Sequence, residues 1–536
     1  MSRIIFLAVL SLASSIGFAI GNPQAPQGGN LNINIRVEPP TIHPITAGDA
    51  AASNVHDFTE SSLLTKDVET YEWKPLLAEK WEISKDGKVF TFWLRKNLTF
   101  HDGHPLTAED VKFSFDAIFE PKYNAAHKRP YYEGISKVEI VDPFQVKFYT
   151  KNLYFQNFDV CAGMAIIPKH IYSDVEKSKK MNKELIGSGP YKIEKFDKGQ
   201  KIVLKKYDKW FGNSLPEFKG IYNFETVTLR FVRDENVYLE MLSKGDLDYD
   251  DLTPEQFVKK AEGGNWGKTV SKVKAENVTG KNYRWVGWNM ENPLFKDRDV
   301  RYALAHLMNR EEMIAKFRYN LSVLATGPTD IFSDYASPNV KPILFDPKKA
   351  QELLAKAGWK DADKTGILSK MIGGKKVEFR FSLIHSNKEY EKYLTYYKED
   401  LKKAGIDMEI KYLEWNSFIK ILDDGKFDAV SLAWTTGIEF DPKQQWSSSS
   451  ATVGGSNFIK YKVPEVDKMI EQARSEMDRK KRIVLLRKVY ERIANDAPYV
   501  FMFNEKFYLY AVANRIGKPV DTYKYGVGSD YWWLKP

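Results

Sequence analysis

In the run FHDGHPLTAEDVKFSF, residues 100 to 115, His101, Asp102 and His104 crowd into four positions just ahead of an apolar-periodic segment. Two imidazoles and a carboxylate at that spacing are raw material for a metal site or a hydrolytic corner. A metal, however, needs a third ligand from elsewhere and a supporting shell of hydrogen bonds, and the chain has only 8 histidines and no HExxH pattern. The competing reading is a helix start: Thr107 can cap the amides of the next turn while Asp110 reciprocates, and Val111, Phe113, Phe115, Ile118 and Phe119 supply a buried strip. The pattern favours the capped helix. Other chemistry-bearing patterns are equally thin. No GxSxG elbow is present, Cys161 in FDVCAGMAI sits in an apolar run typical of a buried thiol, and Asp250 and Asp251 are ordinary turn carboxylates. The glycines of GSGP, 187 to 190, lead into a strand, whereas a phosphate cradle leads into a helix. Catalysis is not expected.

The most informative stretch is VSLAWTTGIEFDPKQQWSSSSATVGGSN, 430 to 457. A strand runs into Trp434, and a Gly-, Ser- and Thr-rich loop follows that contains Thr435, Thr436, Glu439, Asp441 and Trp446. Loops at the carboxyl ends of parallel strands sit on a rigid sheet and face a crevice. Indoles, hydroxyls and backbone amides there suit an extended, partly polar ligand; alternatively Trp434 and Trp446 simply pack the lobe. Asn289, beside Trp285 and Trp288, and His385 with Ser386 end further strands and are looser candidates for the same cleft.

A chain of 536 residues implies two or three domains. Arg3 followed by IIFLAVLSLASSIGFAIG reads as a cleaved secretory signal over residues 1 to about 21. The sole cysteine, Cys161, lies outside that leader, so neither an intrachain disulfide nor a lipid anchor is expected. The net charge of +9 is small against 80 basic and 71 acidic side chains. KSKK (177 to 180) and RKKR (479 to 482) lack aromatic interleaving and read as solvated helix faces, so no nucleic-acid partner is expected. Hairpins are predicted around KDGK in 71 to 100, around Asp142-Pro143 in 136 to 150, and over 187 to 212. From 377 to 434 strands and helices alternate, the signature of an α/β lobe with a mainly parallel sheet.

The motifs PLLAEKWEISKDGKVFTFWLRKNLTFHDGHPLTAEDVKFSFD, GSGPYKIEKF, NVYLEMLSKGDLD, the Asp299-Val300-Arg301 helix start with Asn309-Arg310, the Leu353 to Gly358 helix end and Phe440-Asp441-Pro442 occur in one order over nearly all of the mature chain. In these the sequence resembles the extracytoplasmic solute-binding proteins of the peptide and oligopeptide family (family 5), which deliver ligands to ABC importers. The resemblance implies an α/β, two-lobed periplasmic-binding-protein fold with a third inserted domain and the ligand cleft between lobes. It divides the chain into domain I (22 to 70, 187 to 285 and 496 to 536), domain II (71 to 186) and domain III (286 to 495). Relatives carry an aspartate three residues before the Asp of Asp-Pro, where it meets a peptide's α-ammonium group; here that position is Ile438, with Glu439 one residue nearer. Either Glu439 supplies the charge from a shifted loop, or no free amino terminus is held. His43 also stands where relatives tend to carry an aspartate.

The expected function is capture of a short peptide or peptide-like ligand for a permease at the inner membrane, by a periplasmic monomer that needs no cofactor and closes on its ligand by population shift. The alternatives are a non-peptide ligand on the same fold, such as an oligosaccharide or cell-wall fragment, or a ligand sensor or chaperone.

Overall fold

The computed structural model describes residues 21–536 apart from 69, 124, 126–127, 277–281, 454 and 520–527. The expected leader, 1 to 21, therefore lies outside the described residues except for its last position. Among the described residues no helix is long and apolar enough to cross a membrane.

Three sheets carry the architecture. The first is antiparallel, in the order Ala78–Ile83, Val89–Leu94, Gln145–Thr150, Ile135–Asp142. Strict alternation along Gln145–Thr150 turns Val146, Phe148 and Thr150 inward, where they meet Phe90, Phe92 and the buried side of helix Ala108–Phe119. That helix starts as its sequence predicts: Thr107 Oγ1 accepts from the Glu109 amide at 3.3 Å, and Asp110 Oδ2 accepts from the Thr107 amide at 2.9 Å.

The histidines before it are structural. His101 hydrogen-bonds the Gly189 carbonyl through Nε2 at 3.0 Å and accepts the Gly187 amide at Nδ1, 3.2 Å. His104 stacks on His170, ring centroids 3.8 Å apart, and His170 Nε2 lies 2.7 Å from Asp102. Among the described residues no group of three or more His, Cys, Asp or Glu side chains is placed to hold a metal. The glycines of GSGP have a packing reason: a Cβ on Gly187 would stand 1.9 Å from the Thr59 carbonyl oxygen, and one on Gly189 2.6 Å from that of Phe58.

The second sheet gathers strands from across the chain, in the order Val270–Glu276, Phe507–Ala513, Tyr249–Asp251, Asn30–Asn34, Thr226–Arg230, Lys201–Lys206, Tyr191–Asp197. The third runs Asp407–Tyr412, Arg380–His385, Ala429–Thr435, Asn282–Trp288, Tyr499–Phe501. Its first three strands are parallel, but Asn282–Trp288 is antiparallel to both its neighbours, so the sheet is mixed rather than mainly parallel. Period-two alternation buries both faces. Val286 and Trp288 face helices Arg298–His306, Pro347–Lys356 and Glu391–Lys403, while Tyr283 and Trp285 face Trp415–Asp424, Pro464–Ser475 and Arg479–Asp496. The boundaries expected at 285 and 495 thus fall inside one strand of this sheet and just ahead of another. Arg301 ties this region together by donating to the carbonyls of Phe295, Lys296 and Asp496.

Candidate functional site

Strand Ala429–Thr435 delivers Trp434 to its carboxyl end, where the indole lies parallel to Phe458 at 5.6 Å and to Trp285 at 6.2 Å. The chain then turns away from the sheet. Buried Phe440 pins the turn, and Asp441 Oδ1 accepts the Lys443 amide at 3.1 Å, starting the short helix Lys443–Trp446. Between this loop and the antiparallel-sheet unit lies a cavity of about 160 Å³ that opens to solvent. Trp434, Thr435, Thr436, Glu439 and Asp441 line it, as do Tyr131 and Gln156 from the far side and Tyr283, Thr329, Gln444 and Gln445 from the near side. Its mixed lining of aromatic, hydroxyl and amide groups suits one end of a ligand.

The five loop residues singled out in the sequence therefore converge; the other three do not join them. Trp446 is fully buried, its ring packed at 4.8 Å from Tyr499 and 5.7 Å from Tyr461, so it is core rather than a ligand contact. Trp285 and Trp288 are likewise fully buried on opposite faces of the sheet. Asn289 follows Trp288, which pairs with Ala429, whereas Trp434 pairs with Tyr283; six residues of strand put Asn289 about 20 Å from the cavity. Its amide is spent on a turn, donating to the carbonyls of Gly425 and Phe427 at 3.2 and 2.9 Å. His385 ends its strand at the same end of the sheet as Trp434, but its register puts it on the opposite face, where it is buried with Nδ1 3.1 Å from the Asn387 carbonyl oxygen, and burial lowers its pKa.

The electrostatics of the loop were not legible in advance. Glu439 accepts hydrogen bonds from Arg479 Nε at 3.1 Å, Arg482 Nη2 at 3.2 Å and the Tyr335 hydroxyl. Asp441 Oδ2 accepts from Tyr154 at 2.7 Å and from Arg474 Nε at 3.1 Å, with both members of that ion pair largely buried. RKKR at 479 to 482 is accordingly more than a solvated face: Lys480 and Lys481 are exposed, but Arg482 is buried against Glu439 and the Phe155 ring. Tyr154 and Phe155 come from the antiparallel-sheet unit, as does Glu133, whose carboxylate is 2.7 Å from Lys443 Nζ. The backbone continues this junction, with the Phe155 amide donating to the Arg474 carbonyl at 3.0 Å.

A second cavity lies where the seven-stranded sheet approaches the five-stranded one, lined by Arg36, Asp251, Asn282, Arg318 and Glu389 among others. Its charges are mostly paired: Arg36 with Asp250 at 3.0 Å, and Arg318 with Glu505.

Residues 72–457 match the family model of bacterial extracellular solute-binding proteins, family 5. The oligopeptide-binding protein AppA of Bacillus subtilis is 31% identical over 541 residues, covering 97% of this chain and 94% of that one. The solved structure of AppA in complex with a nonapeptide superposes with a TM-score of 0.82 at 29% identity, covering 96% of this chain and all of the other. The structure of NikZ from Campylobacter jejuni in complex with Ni(L-His) gives 0.78 at 25% identity, covering 91% and 94%.

Proposed function

We propose that this chain, which belongs to the bacterial extracellular solute-binding proteins of family 5, captures a short peptide or peptide-like ligand and presents it to an ABC importer permease at the inner membrane. The observation that carries the reading is the cavity at the end of strand Ala429–Thr435, whose walls come from two separate sheet units. An occupant bridges both, so the closed arrangement gains contacts that an open one lacks, and that difference in affinity drives closure. The similarity to AppA, named for oligopeptide binding and solved with a nonapeptide, supports a peptide as occupant.

Three units carry the function: 22 to 70 with 187 to 285 and 496 to 536, then 71 to 186, then 286 to 495. The five-stranded sheet favours drawing the crossings just before Asn282 and just after Phe501. The protein works as a periplasmic monomer, exported by its leader, with no cofactor and no turnover of its ligand. Native mass spectrometry of the gently purified protein tests this. A heterogeneous set of adducts that fragment as short peptides is the expected result, and a single glycan or other non-peptide mass would replace the peptide reading. Loss of peptide uptake on deletion of the protein separates transport from sensing.

A further inference from the structure

The loop end of the Trp434 cavity is lined by two carboxylates, each already paired with a guanidinium. Glu439 faces Arg479 and Arg482 at 3.1 and 3.2 Å, and Asp334 takes another edge of Arg479 at 2.8 Å, so two carboxylates meet two guanidiniums. Asp441 lies nearest to Arg474, at 3.1 Å, ahead of Glu133 and Glu471 at 3.8 Å, and is further occupied by the Tyr154 hydroxyl and the Lys443 amide. An ammonium group brought to either carboxylate meets guanidiniums already in place, and like charges brought together disfavour binding. Ile438, three residues ahead of Asp441, has no acceptor to offer.

What the cavity does offer is neutral hydrogen bonding. Thr329 is 1% exposed, and its Oγ1 has no hydrogen-bond partner among the described residues; the same holds for the buried Oγ1 of Thr436. Both residues line the cavity. A buried hydroxyl left unpaired is costly, so a ligand that pairs both gains affinity that a charged terminus does not.

We infer that this cavity receives a ligand end without positive charge, and that the ligands are peptides whose amino terminus is acylated, with the acyl carbonyl and its amide N–H meeting the Thr329 and Thr436 hydroxyls. This rests on the peptide reading above and specifies which peptides. The test uses two pools of random pentapeptides, identical except that one is N-acetylated, equilibrated with the purified protein; the retained peptides are quantified by liquid chromatography and mass spectrometry. The acetylated pool is expected to be retained in excess of the free pool, and equal retention, or retention of the free pool in excess, overturns the inference. Retention of neither pool overturns the peptide reading itself, so the two failures are distinguishable. Thr329→Val, which keeps the side-chain shape and removes one of the two unpaired hydroxyls lining the cavity, is expected to lower acetylated-peptide retention about tenfold relative to free. An unchanged ratio in that variant would show that no ligand terminus meets this hydroxyl.

Discussion

His43 does the work of an acceptor. Its Nδ1 receives the amides of Ile45 and Thr46 at 3.2 and 3.4 Å, as an aspartate oxygen would in the same turn, and burial lowers its pKa from 6.5 to about 4, so the ring is neutral. Lys128 and Lys179 face it as charges that oppose protonation, and Tyr123 and Tyr172 pack on its ring. His101 is lowered to about 4 by the same cause. Because the unfolded chain binds protons that these folded rings refuse, their contribution to stability is full above about pH 6.5 and is lost as the pH falls toward 4. His43→Asp keeps the acceptor and gives Lys128 an opposite charge, so its melting temperature at pH 5 should equal or exceed the parent's. His43→Leu strands two amides and should lose about 1–3 kcal/mol at pH 7, and less at pH 5, where the parent has itself lost part of the His43 contribution. Thermal melts at pH 7 and pH 5 check both. Cys161 is fully buried, which raises its thiol pKa well above the usual range. Alkylation by iodoacetamide should therefore be absent in the native protein and complete once it is unfolded.

At the scale of elements, Thr107→Ala removes one half of a two-sided cap and should cost about 1 kcal/mol, read as a lower urea midpoint for the antiparallel-sheet unit. The elements themselves were largely legible. KDGK and Asp142-Pro143 do turn the hairpins Ala78–Ile83/Val89–Leu94 and Ile135–Asp142/Gln145–Thr150, because alternation and turn chemistry are local signals. The loop after Trp434 was legible too, since a strand running into a polar, glycine-rich segment marks a sheet edge. Its charge state was not, because Arg474, Arg479 and Arg482 reach Glu439 and Asp441 from 33 to 43 positions away along the chain. Trp446 and Asn289 misled for the same reason: residue type suggested a ligand contact, while strand register and packing against Tyr499 assigned both to structure. In NLYFQN, the aromatic pair Tyr154-Phe155 is the one local cue to the junction with Arg474 and Arg482.

For the whole molecule, the contacts of Tyr131, Glu133, Tyr154 and Phe155 with Gln444, Lys443, Asp441 and Arg482 join two of the three sheet units beside the cavity. Asp441→Asn removes the nearest of three carboxylates facing the buried Arg474 guanidinium and leaves Glu133 and Glu471 at 3.8 Å, a change that should cost about 1–3 kcal/mol. The expected outcome is faster amide hydrogen exchange over residues 131 to 156 and weaker ligand capture, with the seven-stranded sheet protected as before. That sheet has a consequence for how the protein is made. Its second strand in spatial order, Phe507–Ala513, wedges between Tyr249–Asp251 and Val270–Glu276 near the very end of the chain, while the strand beside Tyr249 is Asn30–Asn34 near its start. A nascent chain must hold Asn30–Asn34 without a complete sheet until Phe507–Ala513 has been made. Assembly is then slow and dominated by distant pairings, and a product cut short by thirty residues, although it retains the whole Trp434 cavity, has no finished sheet to carry it.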